Sequence, residues 1–131
     1  MNYSLIKSYA KINLALNVTG KTSGLHQIES IIGFVSLHDV ILIKKINSKK
    51  HIISFNGKYS KNIYKKNTIS KLLKVLEKEK LLTGHKFRIK VNKNIPSKSG
   101  LGGGSMNAAN ILKYLIKKNF INPSKRQLSS I

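Results

Sequence analysis

Pro96-Ser97-Lys98-Ser99-Gly100-Leu101-Gly102-Gly103-Gly104-Ser105-Met106-Asn107-Ala108-Ala109 is the stretch whose reading decides the fold of this chain. Before it, Phe87, Ile89 and Val91 alternate with polar residues, which predicts a strand over about residues 85–92. After it, Ala108, Ala109, Leu112, Leu115 and Ile116 share one helical face, which predicts a helix over about residues 105–119. Four of the five residues 100–104 are glycine, and glycine is costly in backbone entropy. The cost makes sense where the backbone must curl with its N–H groups presented to a ligand. The following helix aims its own free N–H groups and positive dipole end at the same place, so phosphate is the natural ligand. The Walker pattern fails, because Gly104 is followed by Ser105-Met106 rather than Lys-Ser/Thr. The dinucleotide pattern fails too, because Ser105 stands where its third glycine belongs. A flexible linker would not be set between Ile95-Pro96 and an Ala-Ala helix start.

Working outward, Ile12, Leu14, Leu16 and Val18 alternate with Asn13, Ala15 and Asn17 and predict a strand, preceded by extended chain over residues 4–10. Residues 19–24 read as a turn. Residues 27–37 and 40–46 are β-branched-rich strands, with His38-Asp39 as the turn between them. Residues 51–55 form a short strand, and Asn56-Gly57 signals a hairpin. Ile69, Leu72, Leu73 and Leu76 then change the period to that of a helix, capped by Asn67 or Thr68 and ended by Thr83-Gly84. Asn122-Pro123-Ser124 opens a third helix. Strands cluster before the first helix, so the expected class is α+β and not a doubly wound sheet.

The chain has 131 residues, one domain's worth, with 25 basic and 4 acidic residues and a formal net charge of +21. All the basic residues except Arg88 and Arg126 are Lys, scattered in ones and twos among Ile and Asn. Base-edge readout favours Arg, so this charge reads as solvated surface and steering of anionic ligands, with no specific nucleic acid. The lack of cysteine excludes disulfides, thiolate metal sites and a cysteine nucleophile. No apolar run approaches a membrane span, and Lys11, Asn13 and Asn17 interrupt any secretory core. A soluble, cytoplasmic protein is expected.

The Gly-Leu-Gly-Gly-Gly-Ser run with its following Asn-Ala-Ala resembles the phosphate-binding motif of the GHMP kinases. Within that family it is most similar to the branch that phosphorylates a cytidylyl-methylerythritol in non-mevalonate isoprenoid synthesis. Ala10-Lys11-Ile12-Asn13-Leu14 with Val18-Thr19-Gly20, and Gly24-Leu25-His26-Gln27-Ile28, resemble that branch's N-terminal strand and Gly-Tyr-His-Glu-Leu segments. Asn67-Thr68-Ile69 resembles its Asn-Leu-Ile. The resemblance covers essentially the whole chain and implies the family's N-terminal, ATP-binding domain over residues 1–131. That fold is shared with ribosomal and translation-factor domains and contains a left-handed βαβ crossover. It also implies transfer of the γ-phosphate of ATP, assisted by Mg²⁺, to the substrate's 2-hydroxyl. On this resemblance Pro96, Lys98, Ser99, Gly100, Leu101, Gly102, Gly103, Gly104 and Ser105 wrap the ATP phosphates, and Asn67 lies near the nucleotide. Lys11 contacts the acceptor hydroxyl, Asn13 holds the substrate, and His26 bonds the cytosine edge. No resident metal ligand is implied.

The chain departs from the family at Leu25, where a stacking Tyr is usual, at Met106, and at Lys98-Ser99. Its four carboxylates are Glu29, Asp39, Glu77 and Glu79, and none lies in the family's Gly-Ala-Asp-Val-Pro segment, whose Asp is the catalytic base. The expectation is therefore a fragment of a kinase, or a decayed remnant, inactive as given. A basic nucleic-acid-binding module of the same fold is the alternative. A coding sequence that continues in frame to Gly-Ala-Asp-Val-Pro separates fragment from remnant.

Overall fold

The computed structural model describes residues 2–11, 36–61, 63, 67–96 and 103–131. Four strands form one mixed sheet in the order β1-β2-β4-β3, with β1 Ser4–Tyr9, β2 His38–Ile46, β3 Ile52–Asn56 and β4 Lys86–Asn92. β1–β2 and β2–β4 are antiparallel, whereas β3 runs parallel to β4. Parallel neighbours need a crossover, and helix α1, Thr68–Lys78, supplies it. Helix α2, Gly103–Lys117, follows β4, and the short α3, Lys125–Ser130, closes the described chain. Among the described elements, three strands precede the first helix and two of the three strand pairings are antiparallel, as the α+β class expects.

The helices cover one face of the sheet. Ile41 and Ile43 from β2 and Phe87, Ile89 and Val91 from β4 meet Ile69, Leu72, Leu73 and Leu76 of α1 and Ile111 and Leu115 of α2. All are buried, and Phe120 stands edge-on to Phe87 at 5.1 Å. No helix among the described residues is long and apolar enough to cross a membrane.

Several expected boundaries move. His38 and Asp39 are not a turn. They pair with Tyr9 and Ser8 as the first residues of β2, because Asp39 has buried partners that let a carboxylate enter a strand. Asn56-Gly57 makes no hairpin, since β3 pairs in parallel with β4. Gly57 adopts φ +98°, and a Cβ there would overlap Asn92 Oδ1 and lie 2.8 Å from the Lys93 backbone, so the glycine permits close passage of β4's exit. Helix α1 stops at Lys78, five residues before the expected Thr83, where Leu81 N–H returns to Leu76 O at 3.0 Å and Lys80 takes φ 59°. Helix α2 begins at Gly103, not Ser105, and its core side is rotated from the expected one: Ile111 is buried, while Ala109 and Ile116 are exposed. The expected strand over 12–18 lies outside the described residues, as does that over 27–37 up to residue 35; Ser36 and Leu37 are described and are not strand.

Candidate phosphate-binding site

Where β4 ends, the chain is held from two sides. Lys93 N–H donates to Asn56 O at 2.7 Å, and Lys93 O accepts from Tyr59 N–H at 3.2 Å. The Lys93 side chain turns inward, 5% exposed, and its Nζ donates to Asp39 Oδ2. Asp39 is fully buried. Its Oδ1 accepts from the N–H groups of Asn94 at 2.6 Å and Ile95 at 2.8 Å. Its Oδ2 also accepts from Asn107 Nδ2 at 2.9 Å, one turn into α2. Burying a charge is costly unless it is paired and hydrogen-bonded, and four donors meet that condition here. A carboxylate only accepts, so the Asn107 amide nitrogen must face Asp39, which leaves the buried Oδ1 of Asn107 without a partner.

The start of α2 closes onto the same cluster. A Cβ on the buried Gly103 would sit 3.0 Å from Ile95 Cγ2 and 3.4 Å from Lys93 Nζ. Both described flanks of the glycine run, up to Pro96 and from Gly103, are thus fixed. Lys98, Ser99, Gly100, Leu101 and Gly102 lie outside the described residues, as do Asn13 and His26.

Gly104 and Ser105 are exposed on the first turn of α2. Thr68 Oγ1, on the first residue of α1, donates to Gly104 O at 2.8 Å. Asn67 is the N-cap of α1: its side chain accepts from Ser70 N–H at 2.9 Å, and Ser70 Oγ accepts from Asn67 N–H at 2.9 Å. Two helix starts therefore lie side by side, and neither carries an acidic residue in its first turn. No carboxylate offsets their positive dipole ends, which favours an anion between them. Beside them runs a largely apolar groove of about 370 Å³, lined by Thr68, Leu72 and Val75 on one side and Ser105, Ala108 and Leu112 on the other.

Lys11 is exposed just beyond β1. Asn110 Nδ2 donates to Ser8 Oγ at 3.0 Å and Tyr114 OH to Ser4 Oγ at 3.0 Å, so β1 runs antiparallel to α2. The Lys11 end of β1 therefore lies at the Gly103 end of α2. Lys11, Pro96, Gly103, Gly104, Ser105 and Asn67 gather at one end of the sheet. Sequence reasoning missed Asp39 and Lys93. The available signal was a lone carboxylate inside an apolar, β-branched stretch of a chain charged +21.

Among the described residues no cluster of three His, Asp or Glu could hold a metal ion. Asp39 is spent on its four donors, and Glu77 is engaged on α1 by His51 and Lys86. A resident metal cage does not fit these residues.

Comparison with known proteins places residues 67–131 in a match to the GHMP kinases N terminal domain. The whole chain is 60% identical to a 4-diphosphocytidyl-2-C-methyl-D-erythritol kinase of Pelagibacter ubique, covering 47% of that protein. It is 36% identical to the kinase of that name from Clostridium beijerinckii, covering 96% of this chain and 44% of the other. With the Thermotoga maritima kinase it shares 40% identity over 82% of this chain and 38% of the relative. The chain thus spans a little under half the length of the relatives it matches. A crystal structure of 4-(cytidine 5'-diphospho)-2C-methyl-D-erythritol kinase aligns with a TM-score of 0.48 at 24% identity, covering 68% of this chain and 30% of that one.

Proposed function

Because the chain belongs to the GHMP kinase family, carrying sequence of its N-terminal domain, we propose that residues 1–131 form the ATP-binding domain of a small-molecule kinase. Its acceptor is the 2-hydroxyl of 4-diphosphocytidyl-2-C-methyl-D-erythritol. The observation that carries this reading is the pairing of two acid-free helix starts, one of them directly following a glycine run whose flanks are both anchored.

In this reading the N–H groups over Pro96 to Ser105, with Lys98, Ser99, Gly100, Leu101, Gly102, Gly103 and Gly104 between, cradle the ATP phosphates. The apolar groove between α1 and α2 accepts the flat face of the base, with Asn67 one residue before the lining Thr68. Lys11 approaches the acceptor hydroxyl from the end of β1. Asn13 holds the acceptor, and His26 bonds its cytosine edge. Phosphoryl transfer depends on positioning and positive charge more than on covalent chemistry, and this set supplies both. Mg²⁺ would enter with the nucleotide's phosphates, neutralising their charge, and not in a cage of protein ligands. A nucleic-acid module of this fold would need neither the glycine run nor its buried anchors.

The test is calorimetric titration of the chain with the cytidylyl acceptor in the presence of a non-hydrolysable ATP analogue. Saturable binding that is lost in His26→Ala supports the assignment. Equal affinity in parent and His26→Ala, or binding unaffected by removing the cytidine diphosphate moiety, contradicts it.

A further inference from the structure

We propose that Asp39 is the positioning residue of the glycine run: with Lys93 and Asn107 it forms a buried latch that fixes the gap between the run's two ends and so sets its affinity for phosphate. The proposal rests on the phosphate-binding reading above.

Asp39 gathers donors from both sides of the run. Asn94 and Ile95 N–H belong to the segment that enters it, and Asn107 Nδ2 belongs to the helix that leaves it. The entering side is itself immobilised, because the backbone of Lys93 is bonded to Asn56 and Tyr59. The carboxylate is carried by β2, a strand hydrogen-bonded on both sides. One carboxylate thus ties the chain before residue 97 and the helix after residue 102 to a rigid frame.

Cohesion alone does not call for this cluster. A buried ion pair is a weak stabiliser beside well-packed apolar residues of similar volume. Apolar residues, however, cannot draw two backbone N–H groups and a side-chain amide onto one point. Anion binding by a short run of N–H groups depends on where both ends stand. Asp39 touches no reacting atom in this scheme and acts only through the backbone it holds.

Asp39→Asn keeps the size and one acceptor oxygen but sets an NH₂ group against Lys93 Nζ and Asn107 Nδ2. It is expected to raise the ATP dissociation constant about tenfold or more, since displacements near 1 Å carry penalties of that order. Calorimetry is run at a temperature where circular dichroism shows parent and variant fully folded. A role in stability alone would lower the melting temperature and leave that constant unchanged, and this result overturns the proposal. Hydrogen exchange gives an arm independent of nucleotide. Amides of residues 94–95 and 107–110 should exchange faster in Asp39→Asn, while those of Ile53, Leu73 and Leu76 keep their protection. If the parent fails to bind ATP, the phosphate reading falls. The exchange arm still decides the latch, with local acceleration supporting it and uniform or absent acceleration overturning it. The reciprocal variant Asp39→Asn/Asn107→Asp returns a carboxylate to the cluster and should recover most of the protection and affinity; no recovery counts against the latch. Should Asp39→Asn not fold, Asn107→Ala spares the Lys93–Asp39 pair and is read by the same two measurements.

Discussion

Thr68 Oγ1 donates a 2.8 Å hydrogen bond to the carbonyl oxygen of Gly104, joining the first residue of α1 to the first turn of α2. Two elements far apart in sequence thereby present their N-termini together. Thr68→Val removes the hydroxyl at nearly constant volume. An exposed neutral hydrogen bond is worth about 1 kcal/mol, so denaturant unfolding should shift by no more than that. ATP affinity should fall several-fold, because the two helix starts are no longer tied. A loss of stability well beyond this with unchanged ATP affinity would show that the tie serves cohesion instead.

Gly103 and Gly104 should respond differently to the same substitution. A Cβ at Gly103 meets the fully buried Ile95 at 3.0 Å, so Gly103→Ala forces a core side chain to move and should cost about 1–3 kcal/mol. A Cβ at Gly104 meets only Thr68, at 3.4 Å, which is ordinary contact. Gly104→Ala should be neutral or slightly stabilising. Urea titration of both variants checks this; equal losses would mean that the start of α2 is not seated on Ile95.

His51 gives the fold a pH dependence. Its Nδ1 accepts from Phe87 N–H at 3.0 Å, and its Nε2 faces Glu77 Oε1 at 2.9 Å. Burial lowers its pKa, and the nearby Lys86 ammonium adds to this against the opposing pull of Glu77. The folded state therefore prefers the neutral ring. The unfolded chain binds the extra proton first as pH falls below about 6.5, so that contribution to stability is full above this value and declines below it. Glu77, held low chiefly by its hydrogen bond to Lys86, contributes in the same direction at more acid pH. Unfolding free energies at pH 7.5 and 5.5 should differ in the parent and converge in His51→Gln. A parent that is equally stable at both would refute the assignment.

Much of this was legible in the sequence, and for physical reasons. The helical period of Ile69, Leu72, Leu73 and Leu76 marks the buried side of α1, and Asn67 caps it as its side-chain chemistry requires. The alternation of Phe87, Ile89 and Val91 marks the core face of β4. The errors fall where a distant contact overrides a local signal. Asp39 looks like a turn residue until Lys93 and Asn107 surround it. Asn56-Gly57 looks like a hairpin until β4 passes beside it. Ile111 rather than Ala109 faces the core because α2 packs on the sheet and α1 through Ile111 and Leu115, a contact the apolar spacing of α2 alone does not specify. Lys93 was invisible as a buried cation among so many surface lysines.

The charge of +21 predicts polyanion binding without sequence preference, because almost all of it is Lys. Affinity for a DNA duplex and an RNA hairpin should be alike and should fall steeply between two salt concentrations. A preference for one sequence that survives high salt would contradict this.

The 131-residue chain should hold nucleotide without transferring phosphate. Of its three described side-chain carboxylates, Asp39 is buried under four donors, Glu77 is paired with His51 and Lys86, and Glu79 sits at the C-cap of α1, the end opposite Asn67 and Thr68, so none is placed to take a proton from the acceptor hydroxyl. A general base contributes about 10²–10⁴-fold to rate. A coupled ADP-release assay with the cytidylyl acceptor should give no acceptor-dependent turnover. Turnover that disappears in Lys11→Ala would mean that a base has been overlooked.

Titration of the chain with ATP tests the central claim most directly, comparing the parent with Gly102→Val and Lys50→Ala. If the glycine run cradles phosphate through exposed N–H groups, a Cβ-branched side chain in its middle blocks the approach. Gly102→Val should then abolish ATP binding, while Lys50→Ala, at an exposed position before β3, should match the parent. Equal ATP affinity in the parent and Gly102→Val would contradict the account.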